Sequence, residues 1–409
     1  MYLHEITIKN YSIHKETKVA LSPITVFVGP NGGGKSSLFD ALLNFSMLSR
    51  GNIGQAFGNY PYSFNATKHR GALSISRIAF DVLMSESQNH ARQLRYKIDY
   101  AQQPQDKGDF GLPSFDIKAE RLESLPGKES LFDRENPDSS PLRAALNFVR
   151  NDTGIFAAIR KAQLEKNHKL PSEILSYARD ISRFNKFRLD PYKLRLPSDL
   201  PDLTTAEIPR ISYDGENLAS CLYYMQQTAH PSLTQVVKQV QTVLPGFVNF
   251  DFNVVANQRI GFSITFSDQR QTIPAARLSD GQLLLIGLMV LVYSENRPPV
   301  LMVEEPENGL TPPAQRAFYQ AVRELAFRSD EKQRSQVLIS SHSPFIICEA
   351  WNGEDRDFIH QVKVENGQTV VRKFSDAIRS AGTMLGKKNG ERLDLSLKHA
   401  EELMAGYLA

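Results

Sequence analysis

Apolar and polar positions along this chain fall into three patterns. The N-terminal Met1-Tyr2-Leu3-His4-Glu5-Ile6 alternates, as a strand does, and further strands are predicted over 73–82, 94–100, 115–119, 248–256 and 260–266, with polar turns between them. Ile24-Thr25-Val26-Phe27-Val28, Val300-Leu301-Met302-Val303 and Val337-Leu338-Ile339 are continuously apolar, which suits short strands buried on both faces of a parallel sheet. Helical spacing joins Leu38, Phe39, Leu42, Leu43 and Phe45, and recurs over 142–184 (Leu142, Ala145, Leu146, Val149; Ile174, Leu175, Ala178, Ile181), where it predicts a helical insertion. Asp214-Gly215-Glu216-Asn217 is expected to cap a helix running through Met225, with a second helix over 233–244. Past Trp351, two short strands and a Gly386-Lys387-Lys388-Asn389-Gly390 linker lead to a last helix. Its apolar stripe (Leu393, Leu397, Ala400, Met404, Tyr407) would pack on its own domain or dock a partner. Segments 63–71 and 126–141, the latter broken by Pro137, are predicted loops. No repeat or low-complexity tract interrupts this order.

A length of 409 residues, at roughly 100 to 200 per domain, suggests two or three lobes. A hydrophobic share of 41% and a charged share of 23% suit a globular chain, and a net charge of +3 is too small to imply nucleic acid without a local patch. The longest apolar run, 283–292, is about half of what a bilayer needs and reads as a buried helix. The N-terminus lacks the basic and apolar regions of a leader, so a cytoplasmic protein with no membrane association is expected. The two cysteines, Cys221 and Cys348, fit no metal or redox spacing and read as reduced thiols.

Candidate chemistry begins directly behind the first buried strand, at Gly29-Pro30-Asn31-Gly32-Gly33-Gly34-Lys35-Ser36. Glycines let backbone N–H groups curl around phosphates, lysine supplies a point charge to the β and γ groups, and serine ligates Mg²⁺ at a helix N-terminus. The bland alternative is a glycine-rich turn without a ligand, but strand before and helix after are the context a nucleoside triphosphate site requires. The nucleotide-contacting set expected here is Gly29, Asn31, Gly32, Gly33, Gly34, Lys35, Ser36 and Ser37.

The second buried strand ends in Glu304-Glu305. Adjacent strand residues face opposite sides, so two acids at a strand mouth can divide two jobs. Glu304 would hold Mg²⁺ largely through water, and Glu305 would orient and activate the attacking water. Two solvent-facing glutamates before a proline turn would explain neither the buried strand nor the upstream loop. Leu278-Ser279-Asp280-Gly281-Gln282 opens the predicted buried helix; Ser279 alone could be a simple N-cap, yet serine and glycine at a helix N-terminus also form a phosphate site. One chain does not need two sites for one γ-phosphate, so Ser279, Gly281 and Gln282 are expected to complete a neighbour's nucleotide site. The third buried strand ends in Ser340-Ser341-His342-Ser343-Pro344, where His342 would sense the γ-phosphate and hold the attacking water; a lone histidine there could equally be structural.

Arg179, Arg183, Lys186, Arg188, Lys193 and Arg195, interleaved with Phe184, Phe187 and Tyr192, form the most basic stretch. It could track a double-stranded DNA backbone. It could also be an amphipathic strand over 184–196 with a solvated face, its charge diluted by Asp180 and Asp190.

In this order the blocks resemble the ABC-type ATPase heads of structural-maintenance-of-chromosomes proteins, recombinational-repair ATPases and overcoming-lysogenization-defect proteins. Leu278-Ser279-Asp280-Gly281-Gln282 resembles their signature motif with Asp280 in place of a common glycine. Glu304-Glu305-Pro306-Glu307-Asn308-Gly309-Leu310 and Asp214-Gly215-Glu216-Asn217-Leu218-Ala219 are similar to blocks of the compact members, predicted AAA-type ATPases found in bacterial anti-phage defence modules. Two departures stand out: Leu310-Thr311-Pro312 occurs where those members read Leu-His-Pro, and only Gln55, by position, is a candidate glutamine loop. The long heptad arms of chromosome-organising members are absent, and the stretch after Trp351 is too short for the nuclease lobe of overcoming-lysogenization-defect proteins.

The resemblance implies an α/β fold: an ABC-type ATPase head with a P-loop NTPase sheet flanked by helices, an antiparallel β subdomain and an inserted helical lobe. The expected division is 1–50 and 271–350 for the ATPase core, 51–270 for the β subdomain and insertion, and 351–409 for C-terminal strands and helix. It also implies ATP and Mg²⁺, an ATP-sandwiched homodimer or higher oligomer, and a separately encoded effector, a nuclease or toxin. The alternative is a DNA-binding repair or clamp ATPase. A transporter's nucleotide subunit is disfavoured by the large inserted lobe.

Overall fold

The computed structural model describes residues 1–57, 63–69, 77–103, 114–143, 149–165, 170–204, 209–255, 258–267, 272–353, 355–376, 395–398 and 400–402. Of the sequence expectations, residues 73–76, Ala145, Leu146, Ala256, the linker Gly386-Lys387-Lys388-Asn389-Gly390, and Leu393, Met404 and Tyr407 of the last stripe lie outside the described residues.

In chain order, β1 (Tyr2–Tyr11), β2 (His14–Ala20) and β3 (Ile24–Val28) precede α1 (Lys35–Leu48), α2 (Ile53–Phe57) and α3 (Phe64–Thr67). Next come β4 (Ile78–Ser85), β5 (Gln93–Gln102), β6 (Phe115–Leu125), β7 (Glu129–Asp133), α4 (Ile155–Leu164), α5 (Ser172–Ile181), β8 (Asn185–Phe187), α6 (Pro191–Leu194) and β9 (Ser198–Asp199). Then follow α7 (Leu218–Gln227), α8 (Pro231–Val243), β10 (Phe247–Val255), β11 (Arg259–Phe266), β12 (Ile273–Pro274), α9 (Asp280–Tyr293) and β13 (Val300–Glu304). The order closes with α10 (Pro312–Ala326), β14 (Gln336–Ser341), α11 (Pro344–Asn352), β15 (Ile359–Glu365) and β16 (Gln368–Lys373).

The described residues of Met1–Pro23, Gly29–Phe184 and His360–Ala377 form one compact unit. Its frame is an antiparallel sheet in the order β2-β1-β4-β5-β6-β7. Alternation in β4 buries Ile78, Phe80, Val82 and Met84 on one face. Helix α1 settles there through Phe45, whose ring lies 5.7 Å from Phe80, 5.9 Å from Tyr96 and 6.5 Å from Phe184. A buried carboxylate, Glu120, is fully satisfied by its neighbours: it accepts from the Tyr96 hydroxyl at 2.6 Å, from the Ile155 N–H at the start of α4 at 2.6 Å, and from Arg134 at 2.6 and 3.1 Å.

Three local expectations are corrected here. Segment 126–141 is not simply a loop, because Leu131 and Phe132 are buried and β7 pairs with β6. Segment 63–71 holds the short helix α3. Strand β2 is an addition to the expected strands: two of its inward positions, His14 and Thr17, are polar and leave no apolar alternation to read.

The second unit comprises the described residues of Ile24–Val28, Asn185–Ile359 and Ile378–Ala409. Here β3, β14, β13 and β8 run parallel in that order. The apolar helix α9 is buried along Leu283 to Tyr293 and packs against α8 and α10. A smaller antiparallel sheet joins β10, β11 and β12, with β9 on β11. Stretch 184–196, expected as one amphipathic strand, is the edge strand β8 followed by the single turn α6, with Asp190 capping that turn through the Tyr192 N–H. Among the described residues, no helix is long and apolar enough to cross a membrane.

Candidate functional site

The parallel register aligns the C-terminal ends of four strands, β3, β14, β13 and β8. Val28 pairs with Ser341, Phe27 with Ser340, Ser340 with Glu304, and Val303 with Phe187. Each strand then hands the chain on at that row: to Gly29 after β3, to His342 after β14, to Glu305 after β13 and to Arg188 after β8. In parallel sheets this is the edge where ligands bind.

At the β13 tip, Glu304 is buried; its Oε2 lies 3.4 Å from Lys186 Nζ, while its Oε1 and the neighbouring Ser340 Oγ are buried without a hydrogen-bond partner among the described residues. Glu305 adopts φ 45°, a left-handed conformation that costs a non-glycine residue about 1–3 kcal/mol. That conformation is held by its N–H donating to Ser340 O at 2.9 Å, and by Asn308 Nδ2 and Arg188 Nη2 donating to its Oε2 at 3.0 and 3.3 Å. Glu307 Oε1 accepts from Ser341 Oγ at 2.9 Å and from the His342 N–H at 2.8 Å, so the acidic turn ties down the histidine segment. His342 Nδ1 stands 3.4 Å from Glu307 and 3.9 Å from Glu305 Oε1, with the imidazole partly exposed.

The glycine-rich loop opens into α1. Lys35 is 6% exposed, and its ammonium donates to the loop's own Gly29 and Pro30 carbonyls at 2.7 and 3.0 Å. A Cβ on Gly29 would lie 1.9 Å from the Val362 carbonyl of β15, so glycine is required there by close approach. Gly34, at φ 110°, precedes the helix, and a Cβ there would press on Thr369 of β16. Asn31, Gly32 and Ser36 are exposed, Gly33 is buried, and Ser37 turns inward to meet His14 Nε2 at 2.9 Å.

The other sequence candidates sit as follows. Ser279 caps α9 through a capping box: its Oγ accepts from the Gln282 N–H at 3.3 Å and its N–H donates to Gln282 Oε1 at 2.9 Å. Gly281 lies under the acidic turn, where a Cβ would meet Gly309 O at 2.6 Å. Asp280 pairs with Arg195. Gln55 exchanges hydrogen bonds with Asn52 at the start of α2, a local cap. Burial pushes the Cys221 thiol up to about 12 and that of Cys348 up to about 11, so neither is a nucleophile at neutral pH.

A family model described as "AAA domain, putative AbiEii toxin, Type IV TA system" matches residues 24–348. The chain belongs to this AAA family. It is 22% identical, over 424 residues, to the OLD nuclease of Thermus scotoductus, across 99% of this chain and 72% of that protein. Among solved structures it resembles an Smc head bound to the C-winged helix domain of ScpA, with a TM-score of 0.53 at 12% identity, covering 92% of this chain and 100% of that one. An SMC head domain from Thermotoga maritima aligns at a TM-score of 0.45 and 12% identity over 91% of this chain and 99% of that one. The family model thus gives the chain an AAA domain, the OLD nuclease is similar to it along nearly its whole length, and the first Smc head shares its fold.

Several residues of this AAA-family site escape sequence reasoning. Glu307 and Asn308 lie within the acidic block but carry no spacing that announces a role. Lys186 and Arg188 register only as part of a basic run, whereas they pair with Glu304 and Glu305. Lys193 pairs with Glu216, Arg195 with Asp280 and Arg179 with Asp180, so much of the run's charge is met by acids of the same chain.

Proposed function

We propose that this AAA-family chain is an ATP-binding and ATP-hydrolysing switch subunit that dimerises around ATP and works with a separately encoded effector, a nuclease or toxin, in anti-phage defence. The observation that carries the ATPase assignment is Glu305, kept in a left-handed conformation at the sheet edge with its carboxylate held by Arg188 and Asn308 and facing His342. Strain of this kind persists where surrounding structure enforces it, as at catalytic positions. Glu305 is assigned as the base that orients and activates water, with His342 beside it holding that water toward the γ-phosphate.

Lys35 would exchange its two carbonyl bonds for the stronger charge-assisted bonds offered by β and γ phosphates, while the N–H groups of the loop and of Ser36 and Ser37 meet phosphate oxygens at the start of α1. The orphaned Glu304 Oε1 and Ser340 Oγ fit a water-rich Mg²⁺, with Glu304 and Ser36 as the protein's contributions. When bound, that ion would supply charge neutralisation to the phosphates. Ser279 and Gly281 are assigned to the partner's nucleotide.

The pairing with a toxin or nuclease is supported by the family's description, which names a toxin and a TA system, and by the name of the OLD nuclease relative. The ATPase assignment is tested with Glu305→Gln. Hydrolysis is expected to fall about a hundredfold or more, the scale of losing a general base, with nucleotide binding retained. A variant hydrolysing at the wild-type rate would remove Glu305 from this role.

A further inference from the structure

His14 and Thr369 both lie outside the residues matched by the family model, 24–348, yet both touch the phosphate loop. His14, on β2, is 0% exposed and both of its ring nitrogens are engaged: Nδ1 with Thr17 Oγ1 at 3.0 Å and Nε2 with Ser37 Oγ at 2.9 Å. Thr17 Oγ1 donates its own proton to Thr369 O at 3.0 Å, so toward His14 it can only accept. That fixes the tautomer: Nδ1 carries the proton and Nε2 offers a lone pair to the Ser37 hydroxyl. Ser37 Oγ also lies 3.0 Å from Gly34 O, but that carbonyl already receives the Leu38 N–H at 3.0 Å, so the single Ser37 proton can go to His14 without orphaning it.

Thr369 closes the same circuit from the other side. Its Oγ1 donates to Gly33 O at 3.2 Å, and its N–H donates to Ile13 O at 3.0 Å, one residue before His14. The β15 and β16 hairpin therefore backs the loop: Val362 O lies where a Cβ on Gly29 or Gly33 would fall, and Thr369 lies where one on Gly34 would fall. Strand β2 and the β15 and β16 hairpin, distant in sequence, thus hold the Gly33–Gly34 peptide by its carbonyl and the first peptides of α1 through Ser37. Phosphate binding depends on where the N–H groups of those same peptides point.

We propose that His14 and Thr369 are positioning residues that set the curvature of the phosphate loop, with the β15 and β16 hairpin as its rear wall. This rests on the loop binding a nucleotide, and neither residue need touch a phosphate. A fully buried histidine bonded through both ring nitrogens would otherwise be a costly way to fill space that phenylalanine fills.

The test compares purified wild type, His14→Phe, His14→Gln and Thr369→Val in equilibrium binding of a fluorescent ATP analogue, in steady-state ATPase and in thermal melting. His14→Phe and Thr369→Val should each weaken the analogue's Kd about three- to tenfold, the worth of one neutral hydrogen bond, with KM rising in step and kcat changing less. His14→Gln, whose amide can accept from Ser37, should recover most of the affinity. Thr369→Val keeps the side chain's shape and guards against a variant that fails to fold. If wild type binds the analogue and both variants bind it equally well, the positioning role is wrong. The same holds if only melting temperature moves, or if His14→Gln binds no better than His14→Phe. A wild-type protein that binds no nucleotide would instead overturn the assignment of the loop itself.

Discussion

Burial sets His14 apart from ordinary histidines, bringing its pKa down to about 4; the Gly34 backbone opposes the fall, and nearby His69 adds to it. The folded protein therefore keeps this imidazole neutral well below the pH at which the unfolded chain, near 6.5, takes up a proton. As pH falls from about 6.5 to about 4 the unfolded state binds the extra proton, and His14 alone should cost up to about 3 kcal/mol of stability across that window. Denaturant unfolding at several pH values checks it: the slope over that window should be shallower in His14→Phe, and an unchanged slope would mean that the ring already titrates in the folded state. The same residue shows what a sequence hides at this scale. Gly29 to Ser36 stand out as a candidate because a phosphate loop requires glycines, lysine and serine in one short run; His14 does not, because its partner Ser37, and the Thr369 carbonyl that fixes its other partner Thr17, are distant in sequence. Arg188 is visible only as charge, since nothing in the run 179–195 says that Glu305, far along the chain, will receive it.

Elements are legible where one period rules both faces. Strands β3, β13 and β14 are buried throughout and read as apolar runs, and α9 is apolar on every side, so the order of residues alone makes each of them evident. Strand β7 is not legible in this way, because Pro126 and Pro137 bracket it and only Leu131 and Phe132 of its residues are buried. The signature segment shows a subtler gap. Its Ser279 reads equally well as an N-cap or a phosphate ligand, and the fold adds a third requirement, at Gly281, imposed by the acidic turn that follows β13. A Cβ 2.6 Å from Gly309 O must push the turn or the helix aside, and overpacking of this sort costs about 1–3 kcal/mol. Gly281→Ala should therefore lower the melting temperature and, because Glu305 and Glu307 belong to the displaced turn, reduce kcat as well. Unchanged stability and turnover would show that the helix start and the turn yield freely.

For the whole molecule the question is what the proposed nucleotide switch would be coupled to, and charge decides how it is approached. With net charge +3 and Lys186, Arg188, Lys193 and Arg195 each facing an acid, little of the basic stretch is left to release counterions from a DNA backbone. Steady-state ATPase should accordingly respond weakly to duplex DNA, and strong salt-sensitive stimulation would favour the repair or clamp alternative. Dimerisation is the sharper test, because Ser279 is exposed and, among the described residues, its side chain serves to cap α9. Ser279→Ala removes the cap at about 1 kcal/mol, while Ser279→Arg also places a long cation where a partner's nucleotide would sit. In a Glu305→Gln background with ATP, sedimentation should show a dimer that Ser279→Arg abolishes and Ser279→Ala only weakens. If both variants pair as well as the parent, the helix start is a cap and nothing more, and the two-site division of the ATP contacts fails. If both lose pairing alike, the cap rather than the partner's phosphate governs assembly, because only the bulk of the arginine at a shared nucleotide separates it from alanine at this position.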